Sequence, residues 1–152
     1  MSTLAIGSKV KDFTFTSTHD ETAKLSDFLG QPIVLYFYPK DNTSGCTKEA
    51  EDFIAHYSTF QKKKVLIFGI SKDSLKSHVK FTEKYDIPFP LITDESQAIC
   101  QQFDVIKEKS MYGRKYMGIE RSTFLLDEQG KIQQLWRKVK VTGHVSAILE
   151  AL

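Results

Sequence analysis

The stretch PKDNTSGCTKEAEDF, residues 39–53, places a cysteine, Cys46, where a helix is expected to begin. Sulfur reacts as the thiolate, and a free cysteine is mostly protonated at neutral pH. Two features of this loop favour the charged form. The N–H groups of a helix's first turn have no partner inside the helix and point towards the sulfur. Thr43, three residues before Cys46, carries a hydroxyl able to hydrogen-bond the sulfur or an incoming oxygen. Pro39 lacks an N–H and can wall a pocket without competing for those bonds, and Gly45 loosens the loop just before the cysteine. The chemistry on offer is nucleophilic attack by sulfur. The plain alternative is a small buried hydrophobe, which is how many cysteines serve. The surrounding Pro39, Thr43 and Gly45 tilt the choice towards chemistry. The second cysteine of the chain is Cys100.

The elements around the loop must hold it. Residues 12–17, DFTFTS, alternate apolar and polar and read as a strand. KLSDFLG, 24–30, reads as a short helical turn closed by Gly30. PIVLYFY, 32–38, is a continuous β-branched and aromatic run, the pattern of a strand buried on both faces. From about Ser44 to Lys63 the apolar residues Ala50, Phe53, Ile54, Tyr57 and Phe60 recur at helical spacing. VLIFGI, 65–70, is a second buried strand. Capping residues among Ser71–Ser74 start a helix that reaches Tyr85. FPLITD, 89–94, is a short strand, and Asp94 can cap a helix through Phe103. Residues 106–118 read as a polar loop. RSTFLLD and KIQQLWRKV flank a turn at EQG and form a β-hairpin, and 144–152 is a terminal helix. Strand–helix alternation ending in an antiparallel pair predicts an α/β protein: a mixed β-sheet flanked by helices on both faces. A strand, a turn and then a cysteine opening the next helix is the thioredoxin-like arrangement. Thr43 stands where a thioredoxin would carry the first cysteine of Cys-x-x-Cys. A disulfide exchanger needs a second thiol there, whereas a hydroxyl suits attack on an oxygen substrate better.

The totals set limits. A chain of 152 residues predicts one domain, 1–152, with a substantial core. No repeat, low-complexity stretch or linker divides it. The net charge of +2 is too small to argue for a nucleic-acid or anionic-membrane partner, and none is expected. The Lys62–Lys64 run closes a helix, where cations suit the dipole. MSTLAIGSKVKDF, 1–13, has no apolar run long enough for a signal peptide, and no segment could span a membrane. Two distant cysteines do not make a disulfide scaffold. The expectation is a reducing, cytoplasmic compartment. The histidines His19, His56, His78 and His144 lack metal-ligand spacing, so no metal is expected. His56 lies roughly 15 Å along the helix from Cys46 at about 1.5 Å per residue, too far to activate it. His78, between Ser77 and Val79, reads as a solvated or half-buried helical residue. Trp136 and the many aromatics read as core.

Pro39-x-x-x-Thr43-x-x-Cys46 resembles the active-site motif of the peroxiredoxins. YFYPKDNTSGCTKEAEDF, GISKDS, FPLITDE and YMGIERSTFLLDEQGKI resemble the bacterioferritin comigratory protein (PrxQ) branch, in order and over nearly the whole chain. The resemblance implies a thiol peroxidase with no bound cofactor. Cys46 would attack a peroxide O–O bond and become a sulfenic acid. Arg121 falls on the family's catalytic arginine. Its guanidinium would stabilise the thiolate and hold the peroxide oxygens. Thr43 and the Cys46 N–H would bind the same oxygens, and Glu49 would orient Arg121. Hydrogen peroxide and organic hydroperoxides would be the substrates. Thioredoxin, glutaredoxin or glutathione would supply electrons, and the protein would be a monomer.

Many members of the branch carry a resolving cysteine five positions after the first, where this chain has Glu51. Others place it on the following helix, but SLKSHVKFTEKY, 74–85, has none. Cys100 is the remaining candidate. It would need local unwinding to reach Cys46, because a disulfide needs Cα atoms within about 7 Å. Otherwise it is an apolar core residue and an outside thiol reduces the sulfenic acid. Two rivals stand beside the peroxidase. A thioredoxin-fold binding or chaperone-like module would leave Cys46 ordinarily reactive and Arg121→Ala without effect on peroxide consumption. A thiol-disulfide oxidoreductase would reduce insulin disulfides, and the lack of a nearby second thiol argues against it.

Overall fold

A computed structural model describes residues 4–152. The expectation for the first thirteen residues includes Met1, Ser2 and Thr3, which lie outside the described residues.

The run Ile33–Phe37 forms β3, buried at every position, because sheet neighbours flank it on both edges and helices cover both faces. It pairs in parallel with β4 (Leu66–Ser71) and antiparallel with β8 (Ser122–Leu126). With β1 (Thr14–Ser17), β2 (Ala23–Lys24), β5 (Leu91–Thr93) and β9 (Ile132–Trp136), the sheet has seven strands in the order β2-β1-β5-β4-β3-β8-β9. Side chains alternate across β3. Ile33, Leu35 and Phe37 enter one half of the core, with Leu25 of a 3-10 turn (Leu25–Phe28) and with Ile99 and Cys100 of α4 (Ala98–Gln102). Val34 and Tyr36 enter the other half. There they meet Phe53 of α1 (Ser44–Ala55), Phe60 of α2 (Tyr57–Lys62), Phe81 of α3 (Leu75–Tyr85) and Ile148 of α5 (His144–Ala151).

Two elements depart from expectation. The single helix expected over 44–63 breaks at His56 into α1 and α2. The His56 Nδ1 lies 2.9 Å from the Asp52 carbonyl, which a continuing helix would satisfy from the His56 N–H. That N–H turns instead to the Phe53 carbonyl at 3.2 Å. The side chain has displaced the backbone donor. Residues 106–118, expected as loop, form a separate two-stranded hairpin, β6 (Ile106–Met111) with β7 (Arg114–Ile119). Its tip, Tyr112-Gly113, has positive φ at both residues, 52° and 78°, as a tight two-residue hairpin turn requires. Most of the hairpin is solvent-exposed, so its strands carry no apolar alternation to read.

The expected hairpin of β8 and β9 is present, with Gly130 at φ 83° closing its turn. No helix among the described residues is long and apolar enough to cross a membrane.

Candidate active site

The site forms at the C-terminal end of β3, where the chain leaves the sheet through Tyr38–Asn42 and re-enters helix at Ser44. Thr43 is the N-cap of α1 in extended backbone, yet its side chain does not cap. Its Oγ1 donates to the Lys40 carbonyl at 2.9 Å and closes the loop on itself. The first-turn amides of α1 therefore have no side-chain partner. Cys46 lies in that first turn and is 2% exposed, packed in the half of the core with Tyr36 and Phe53.

Arg121 follows β7 and immediately precedes β8, the neighbour of β3, and its side chain crosses to α1. Its Nη2 donates to Cys46 Sγ at 3.4 Å, and its Nη1 donates to Glu49 Oε1 at 2.6 Å. One planar guanidinium thus bridges the sulfur and a carboxylate one turn along the same helix. Positive charge at this range stabilises negative charge on sulfur. Glu49 is fully buried, and its other oxygen, Oε2, has no partner. Burial raises its carboxyl to about 7, against the opposing pull of Arg121. The ion pair does not overcome desolvation at this depth. Arg121 itself keeps its charge: burial acts against it, and the negative charges of Glu49 and Cys46 outweigh burial.

Gly45 lets the arginine approach. A Cβ there would lie 3.2 Å from Arg121 Nη2. The sequence suggested only a flexible residue; its role is to leave room for the guanidinium. Pro39 is half-buried at the start of the loop. Cys46, Glu49 and Arg121 are thus brought together, and Pro39 and Thr43 flank them on one loop.

Cys100 is not brought to the site. It is fully buried in the half of the core that faces the other side of the sheet, with Phe103 and Val105. Burial pushes its thiol well above the ordinary cysteine range, and Asp94 adds to the shift. Asp94 accepts from the Ile99 and Cys100 N–H groups at 3.1 and 2.7 Å, but the N-cap of α4 is Gln97, so the helix starts three residues later than the expected Asp94 cap placed it.

His78 corrects its reading. It is completely buried, not solvated or half-buried, and its Nδ1 lies 2.7 Å from Asp41 Oδ2. The signal was its place on the α3 stripe, three residues before Phe81 and seven before Tyr85. Asp41, Asp73 and His78 offer donor atoms within 4.8 Å of one another, the one such group of potential metal ligands among the described residues. Their facing atoms are already satisfied by hydrogen bonds, which makes the group a network rather than an open coordination site.

The AhpC/TSA family pattern matches residues 6–135. The peroxiredoxin Bcp of Bacillus subtilis is 49% identical over 150 residues, 99% of this chain and 96% of that protein. The chain belongs to the peroxiredoxins. Among solved structures, PrxQ of Xylella fastidiosa, a cysteine-to-serine mutant, superposes with a TM-score of 0.93 at 40% identity, covering 99% of this chain and 96% of that one. The bacterioferritin comigratory protein of Xanthomonas campestris, solved as a trapped intermediate/ligand complex bearing on alkyl peroxide reduction, superposes with a TM-score of 0.91 at 45% identity, covering 99% and 95%. The protein is therefore a thiol peroxidase on a thioredoxin-like α/β fold, as the motif around Cys46 implied. The binding-module alternative is not favoured.

Proposed function

We propose that Cys46 is the peroxidatic nucleophile, acting on hydrogen peroxide and organic hydroperoxides. The observation that carries this is the Arg121 Nη2 contact to Cys46 Sγ at 3.4 Å, with the same guanidinium fixed by Glu49. The thiolate attacks one peroxide oxygen along the O–O axis. An S–O bond forms, the O–O bond breaks, and the other oxygen leaves as water or an alcohol once it takes a proton. Arg121 and the uncapped N–H groups at the start of α1 stabilise the charge that passes from sulfur to oxygen. Pro39 and Thr43 wall the approach, and Glu49 orients Arg121. The sulfenic acid on Cys46 is then reduced by an external thiol. That thiol's sulfur bonds to Cys46 sulfur and releases water, and a second thiol breaks the mixed disulfide.

Burial of Cys100 across the sheet supports a one-cysteine cycle in which Cys100 is a core residue. The external thiol belongs to thioredoxin, glutaredoxin or glutathione, in the cytoplasm. Residues 1–152 act as one monomeric domain that needs no metal or organic cofactor.

The test is peroxide consumption with each reductant in turn. Cys46→Ser abolishes it and Cys100→Ser retains it. Full activity in Cys46→Ser overturns the assignment of the nucleophile.

A further inference from the structure

The loop before Cys46 is fastened to the fold through one buried carboxylate. Asp41 accepts from the Tyr38 hydroxyl at 2.6 Å and from Ser77 Oγ at 2.8 Å, and its Oδ2 lies 2.7 Å from His78 Nδ1. Its own N–H donates to Asp73 Oδ2 at 2.8 Å, and Ser71 Oγ donates to the same oxygen at 2.6 Å. The Asp41 and His78 side chains are 3% and 0% exposed, so the pair meets without solvent.

The ring of His78 is occupied on both sides. Its Nε2 lies 3.0 Å from the Ile92 carbonyl oxygen of β5. A carbonyl only accepts, so Nε2 carries a hydrogen. The other nitrogen, Nδ1, faces the Asp41 carboxylate at 2.7 Å and the Tyr38 hydroxyl at 3.4 Å. The ring thus ties the loop, α3 and β5 together at one point.

A buried polar pair is a poor source of net stability, since apolar side chains of the same volume do as well. What it supplies is a fixed position. The loop needs one: the residue after Asp41, Asn42, holds φ at 60°, a conformation a free chain visits rarely. Asn42 is in turn braced by Lys84 Nζ and Tyr85 Oη, which approach its Oδ1 at 3.3 and 3.1 Å. Pro39 lies two residues before Asp41 and Thr43 two after it. Among the described residues no hydrogen bond joins this network to Cys46 or Arg121 directly.

We propose that Asp41 and His78 form a positioning pair that sets where Pro39 and Thr43 stand over Cys46, and so governs how peroxide is received there. This rests on the peroxidase reading of Cys46. The pair acts on substrate geometry and leaves the sulfur's own reactivity to Arg121 and the helix start.

The test compares two reactions of the same thiol in single turnover: oxidation by hydrogen peroxide and alkylation by iodoacetamide. His78→Gln and Asp41→Asn each slow oxidation by about 10- to 100-fold, the loss expected from a displacement of about 1 Å. Alkylation changes little. The double variant is no slower than the worse single one, because the two residues act as a unit. Oxidation at the parental rate, or oxidation and alkylation falling together, overturns the pair's role. A parent that consumes no peroxide removes the peroxidase reading itself, and the proposal with it. Should those variants fail to fold, Ser77→Ala, which removes one hydroxyl from Asp41 and leaves the pair in place, still decides the role: severalfold slower oxidation with unchanged alkylation is expected, and oxidation at the parental rate overturns it.

Discussion

At the scale of single residues, the site is one guanidinium shared by a sulfur and a buried carboxylate. Arg121→Ala removes the donor facing Cys46 and leaves Glu49 buried without a partner. Peroxide reduction falls by about 100- to 1000-fold, the usual loss for a donor that stabilises developing charge. Stopped-flow oxidation of the reduced protein reads this loss. Gly45→Ala is a finer probe. The new methyl stands 3.2 Å from Arg121 Nη2, so the guanidinium must retreat by a few tenths of an ångström. The oxidation rate drops roughly severalfold while the melting temperature barely moves. The place of Cys46 in the first turn of a helix was legible because the loop before it resists helix and the apolar spacing after it is helical. Arg121 was legible only through family resemblance, since an arginine beside a strand is ordinarily a surface cation. The hydroxyl of Thr43 was read as facing the sulfur or substrate, and it turns to Lys40 instead. His78 and Asp41 were missed because their partners come from four separate segments, and no local window contains them.

At the scale of elements, β3 and β4 aim the loop, and their register leaves no spare room. Gly69 of β4 pairs with Tyr36 and Leu91, and a Cβ there would lie 2.8 Å from Leu91 Cδ2 and 2.9 Å from the Tyr36 ring. Gly69→Ala costs about 1–3 kcal/mol of stability through overpacking. Urea unfolding measures it, as a lower midpoint with an unchanged slope. The buried strands were readable from continuous apolar runs, and α3 from its stripe and its Ser74 cap, whose Oγ accepts from the Ser77 N–H at 3.2 Å. The β6–β7 hairpin was unreadable because solvent on its surface removes the alternation that marks a strand. Its turn also places Tyr112, a residue that seldom takes positive φ, where glycine or asparagine would advertise it. The break at His56 was hidden for a similar reason: a side chain that competes with its own backbone leaves the apolar spacing intact.

At the scale of the molecule, two buried groups with opposite shifts shape the response to pH. Burial raises Glu49 from 4.5 to about 7, so between those values the folded state holds a proton that the unfolded chain has released. Its contribution falls as pH rises through that window. Burial lowers His144 from 6.5 to about 4, with Arg121 adding to the shift. There the unfolded chain binds the proton first, so the contribution of His144 is complete above about 6.5 and is lost as pH falls towards about 4. The two slopes oppose each other where the windows overlap. Glu49→Gln therefore makes stability rise more steeply with pH between 4.5 and 7 than in the parent, and denaturant unfolding across that range tests it. The mixed sheet with helices on both faces was legible from the order of elements. It also separates the two cysteines, which a linear sequence does not display. Leu35 and Phe37 face the Cys100 side, and Val34 and Tyr36 the Cys46 side.

The most direct test of the central claim is intact mass after reduced protein meets one equivalent of peroxide, in the parent, Cys46→Ser and Cys100→Ser. One added oxygen is expected in the parent and in Cys100→Ser, and none in Cys46→Ser. Loss of two hydrogens in the parent, abolished by either substitution, would mean a Cys46–Cys100 disulfide and would contradict the one-cysteine cycle.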